Sequence, residues 1–109
     1  MRRVLILAAA AGLAVPGGAS AQSVMNLLGQ MMGLQAMANI CEIAMTDEQK
    51  ATMDELGPRL VEKSGISNED FDALAAEVPN EIKAENCPAY RQNFPALYAR
   101  VIPLASAVR

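Results

Sequence analysis

The stretch GISNEDFDALAAEVP, residues 65–79, decides the fold class. Ser67 is a strong helix N-cap, with Asp70 at the third helical position. Ile66 and Phe71 stand where a hydrophobic staple puts its two apolar residues. Phe71, Leu74, Ala75 and Val78 then recur at the i, i+3, i+4, i+7 spacing of one helix face. Pro79 ends that helix or opens a short turn over 80–86. Gly65 terminates whatever precedes it.

Towards the N-terminus the same grammar repeats. Thr46 and Gln49 form a capping box, and Asp47 and Glu48 suit the positive end of a helix. Met53, Leu56 and Leu60 follow at helical spacing. Gly57-Pro58 leaves two readings: a helix that stops near Leu56 and restarts, or one helix with a kink. Glu55 and Arg59 are spaced to pair one turn apart.

Towards the C-terminus, Tyr90, Phe94, Leu97, Val101, Leu104 and Val108 share one face of a segment that opens at Pro88, with Tyr98 at its margin. Pro95 and Pro103 fall on the opposite side, so this helix is expected to be bent or broken with its prolines outward. The aromatic side chains are expected chiefly in the core. Strand signals are weak, because no run alternates and β-branched residues are sparse.

The segment 22–45 has a different character. No charged residue lies between Arg3 and Glu42. Val24, Met25, Leu27, Leu28, Met31, Met32 and Leu34 occupy about half of a helical wheel, and Asn26, Gly29, Gln30 and Gly33 the other half. Two glycines weaken an isolated helix by roughly 1 kcal/mol each. Their G-x-x-x-G spacing reads first as close helix packing within the domain, and second as self-association.

The chain opens on Arg2 and Arg3, an apolar run from Val4 to Val15, a Pro16-Gly17-Gly18 break and Ala19-Ser20-Ala21. That order predicts a secretory signal peptide over 1–21, cleaved before Gln22, and a periplasmic or secreted protein. The run is short for a membrane span. The expected mature chain keeps seven basic and twelve acidic residues of the nine and twelve in the whole sequence, for a charge of −5. Such a balance speaks against a nucleic-acid partner. Cys41 and Cys87 are the only cysteines. In an exported chain they are expected to form one disulfide, stabilising by about 3–4 kcal/mol.

The expected fold is therefore all-α: a small bundle of four or five short helices stapled by one disulfide. Residues 22–109 form a single domain. It comprises an uncharged Met- and Gly-rich helix (22–45), capped acidic helices (46–86) and a proline-interrupted aromatic helix (88–109). The disulfide would join the end of the first helix to the start of the last.

Catalytic chemistry is poorly supplied. The chain has no histidine, which removes Ser-His and Cys-His pairs and ordinary zinc sites. No catalytic set, cofactor or metal is expected. Asn68, Asp70 and Asp72 alternate like calcium-loop ligands, but Ala73 stands where the loop needs glycine and Pro79 where it needs glutamate. The six methionines from Met25 to Met53 could supply soft copper ligands, yet they fit a flexible apolar face better. The scattered acids read as solvated helix faces rather than as a carboxylate pair.

These features predict a small exported, non-catalytic interaction protein. Its partner would be another protein or a second copy. Met25, Leu28, Met31, Met32 and Gly33 are the expected contact stripe. One alternative is a periplasmic stress chaperone that holds unfolded clients. In gross architecture the chain resembles small periplasmic acid-stress chaperones, with no shared motif. A second alternative is weak contact with a membrane surface through the first helix.

Overall fold

The structure, a computed structural model, describes residues 21–108. The expected signal peptide lies outside the described residues except for Ala21. The described residues are all-helical, with no strand. Four α-helices follow one another: α1 (Ala21–Ile40), α2 (Asp47–Ser64), α3 (Asn68–Glu77) and α4 (Cys87–Ser106). Two 3-10 turns, Val78–Glu81 and Ala84–Asn86, connect α3 to α4.

The helix ends follow their local chemistry. The Gln49 N–H donates to Thr46 Oγ1, and the Thr46 N–H donates to Gln49 Oε1, each at 3.0 Å. Both halves of the capping box are thus made, which satisfies two orphan donors at once. Gly65 closes α2 with φ 72°, and its N–H bonds the Glu62 carbonyl. Ser67 Oγ accepts from the Asp70 N–H at 3.1 Å and starts α3.

The Gly57-Pro58 ambiguity resolves as one helix, because α2 runs unbroken from Asp47 to Ser64. A proline ring clashes chiefly with the Cβ and N–H of the residue before it. Gly57 has no Cβ, which lightens that clash, although Phe94 and Ile102 also stay helical before Pro95 and Pro103. Pro58 itself is exposed. Likewise α4 runs unbroken through Pro95 and Pro103, both exposed, as their side of the wheel requires.

α1 is shorter than the expected 22–45 segment. It stops at Ile40, and Glu42 takes a left-handed φ of 53°. The Ile43 N–H then reaches back to the Ala38 carbonyl at 2.9 Å, the six-residue closure of a Schellman end. Glutamate rarely occupies this position, so nothing in the local sequence signals it.

α1 is the centre of the bundle and packs against α2, α4 and the Val78–Glu81 turn. Its Val24, Leu27, Leu28, Met31, Leu34 and Ala38 meet Met53, Leu56 and Leu60 of α2. Phe94, Val101 and Ala105 of α4 and the following Val108 complete the core. The Phe94 and Tyr98 rings are 6.2 Å apart between centroids. One apolar position of α4 departs from the expected face: Leu104 is 54% exposed, and Ala105 is buried in its place. The helix is rotated so that its small residue, not its large one, enters the core.

The disulfide is formed between Cys41 and Cys87, whose Cα atoms are 5.3 Å apart. It joins the end of α1 to the first residue of α4. A second tie lies beside it: Arg91 Nε donates to the Cys41 carbonyl at 3.1 Å. A cation at the carbonyl end of a helix is favourable. Replacing Arg91 with leucine should lower stability by about 0.5–1 kcal/mol. Urea denaturation of the oxidised variant checks this, and an unchanged midpoint would show that the contact contributes nothing.

Candidate interaction site

α3 stands apart from the rest of the bundle. No residue of α3 itself is fully buried. It is held by half-buried Ile66, Phe71 and Leu74 and by the buried Val78 just beyond its end. The staple seen in the sequence therefore props α3 against the core by its edges. Between α3 and α1 a groove of about 840 Å³ remains. Met25, Asn26, Gly29, Gln30 and Gly33 form its α1 wall. Ile66, Leu74 and Ile82 add apolar surface opposite, and Asp70, Glu77 and Glu81 line the same wall.

A second depression of about 540 Å³ lies on the other side of α1, against α4. Gln30 and Gly33 line both, so this part of α1 is a ridge between two hollows. Leu97, Arg100 and Leu104 form the far wall of the second hollow. Ile40 and Leu104 are the large hydrophobic residues left exposed among the described residues.

The glycines of this ridge correct the first reading of their spacing. A Cβ built at Gly29 or at Gly33 would meet nothing within 4 Å. They do not serve close helix packing inside the domain. Helical glycine lowers stability relative to alanine by roughly 1 kcal/mol, and here no neighbour of the same chain uses the space.

The five residues of the expected stripe do not lie on one surface. Leu28 and Met31 are core residues, with Met31 only 4% exposed. A charge placed at position 31 would be buried, so such a variant reports on folding and not on binding. Met25 and Gly33 do line the groove against α3. Met32 faces a separate apolar hollow of about 290 Å³ between α1 and α2, beside Pro58, Val61 and Phe71. Gln30 and the three acids of the opposite wall were not foreseen as a site, while Gly29 entered only through the self-association reading of the glycine spacing. Their signal is in the sequence: Glu69, Asp70, Asp72, Glu77 and Glu81 are five acids with no cation between Lys63 and Lys83.

Family models, curated proteins and solved structures offer no match to this chain. Among the described residues no cluster of three or more Cys, Asp and Glu could hold a metal ion. Ser64 is the buried polar side chain, and it is fully engaged: its Oγ donates to the Val61 carbonyl at 2.8 Å and accepts the Ile66 N–H at 3.2 Å. These bonds close the end of α2. No described helix is long and apolar enough to cross a membrane.

Proposed function

We propose that this is a small exported, non-catalytic protein that binds another protein through the ridge and grooves of α1. The observation that carries the reading is the pair of open glycines, Gly29 and Gly33, on an uncharged helix face. They reduce the intrinsic stability of α1 and return nothing to the packing of the domain. A flat backbone surface of this kind suits close approach by an outside element. The exposed Ile40 on the same helix and Leu104 across the second hollow extend the apolar surface. Export is supported by the Arg2-Arg3 start, its apolar run and Ala19-Ser20-Ala21, together with the disulfide.

A photo-reactive amino acid placed at Gln30, in the middle of the ridge, tests the reading in living cells. Glu48, exposed at the far end of α2 and lining none of these hollows, serves as the control position. Discrete adducts to a protein are expected from position 30 and not from 48. No adduct at 30, or the same adducts at both positions, would reject the reading. A broad ladder of adducts that grows under acid stress would transfer it to client-holding chaperone action.

A further inference from the structure

The groove between α1 and α3 has a more particular chemistry than the rest of the surface. We infer that it accepts a cationic amphipathic helix of a partner protein. The inference rests on the interaction reading above and names the partner's chemistry.

Charge complementarity is the first ground. Asp70, Glu77 and Glu81 all line one wall, and no Lys or Arg lines the groove. Residues 70 and 77 are two helical turns apart, so they stand on one side of α3. Glu81 continues the row into the 3-10 turn. A partner helix with basic residues two turns apart presents the matching row, about 10 Å apart. The opposite wall, from Met25 to Gly33, is uncharged. The occupant must therefore be cationic along one flank and apolar where it meets α1.

Backbone chemistry selects a helix over an extended peptide. An extended chain gains its affinity by pairing its main-chain groups with an open sheet edge. Here the walls are built mainly from helices, whose main-chain groups are bonded internally, and there is no strand among the described residues. An extended chain would leave its own N–H and C=O groups unpaired over Met25, Leu74 and Ile82. A helix brings those bonds satisfied within itself. Its small or apolar side chains can then lie over Gly29 and Gly33, where the added Cβ space is empty.

A second copy of the chain fits less well. Its α1 carries no charge, the Lys50, Arg59 and Lys63 of its α2 stand among five acids, and its α4 carries Arg91 and Arg100. Of these, Arg91 is spent on the Cys41 carbonyl. An anionic lipid surface would meet the acidic wall with like charge.

The test uses the oxidised protein and a labelled 18-residue Leu/Lys amphipathic peptide, read by fluorescence anisotropy. A saturable one-to-one titration is expected. The same peptide with every Lys replaced by Glu should bind at least about tenfold more weakly. Glu77→Lys/Glu81→Lys should weaken binding of the Lys peptide by about tenfold or more. Glu48→Lys/Asp54→Lys makes the same change in net charge away from the groove and should leave binding within about twofold. Gly33→Leu, which fills the groove from the α1 side, should also weaken it while circular dichroism remains helical.

Equal losses from the two charge reversals would overturn the inference, since overall acidity would then explain the binding. So would full binding by folded Gly33→Leu together with Glu77→Lys/Glu81→Lys. A dimer in sedimentation that Gly33→Leu dissolves would assign the face to a second copy instead. Failure of the peptide beside specific adducts at Gln30 would reject the cationic helix and keep the interaction reading. Absence of adducts would reject that reading first.

Discussion

Reducing the Cys41–Cys87 bond is expected to cost about 4 kcal/mol of folding stability. The two cysteines are 46 residues apart in sequence, and the loop they close contains α2, α3 and both 3-10 turns. In the chain-entropy account, the bond restricts the unfolded ensemble more than it adds to the native one. A domain of this size has roughly 4–13 kcal/mol of total stability. Losing the bond therefore removes a large share of it. Guanidinium denaturation with and without reductant measures the loss, and replacement of both cysteines by alanine should reproduce it. The denaturant slope should also rise, because an uncrosslinked unfolded chain exposes more surface. A loss under about 1 kcal/mol would mean that the helical core holds together without the staple.

The second large effect has the opposite sign. Gly29→Ala/Gly33→Ala should stabilise the protein by about 2 kcal/mol, the sum of two helix-propensity gains. The gain is expected because neither new methyl group meets an atom within 4 Å. Gly57 is a poor third choice, although it too has room, because an added Cβ would face the ring of Pro58. Thermal unfolding of the double variant measures the gain. Destabilisation would show that the glycines serve the fold itself. Stabilisation accompanied by weaker partner binding would show that the chain carries the weakness of α1 for the sake of an outside contact.

Much of this fold could be read before any coordinates, and the reasons are local. The Thr46–Gln49 box, the Ser67 cap and the Gly65 stop each act within four residues. Their geometry therefore depends little on the rest of the chain. The disulfide followed from having two cysteines, and the Glu55–Arg59 pair, 3.4 Å apart, from their spacing. The end of α1 was not legible, because it rests on Glu42 in a conformation that glutamate seldom takes. The exposure of Leu104 was not legible either. It depends on the rotation of α4 against α1, which a helical wheel does not contain.

The candidate site was less legible than the fold. Periodicity marked the apolar half of α1, but that half is the one the domain keeps. Leu28 and Met31 were drawn into the core by Met53, Leu56 and Leu60, which lie far along the sequence. What remained outside was the glycine side, which the wheel scored as the weaker half. The acids from Glu69 to Glu81 looked like an ordinary solvated face. Only the stand-off of α3 turns three of them toward α1 and makes a groove between the two helices.

The staple also fastens α1 at one end only. The disulfide and the Arg91 contact both hold α1 at its C-terminal end, while the groove lies along residues 25–33. Twelve residues of helix separate Gly29 from Cys41, or about 18 Å. Fastening and groove thus occupy different stretches of one helix: a covalent bond holds α1 at residue 41, and the packing of Val24, Leu27 and Leu28 holds it where the groove runs.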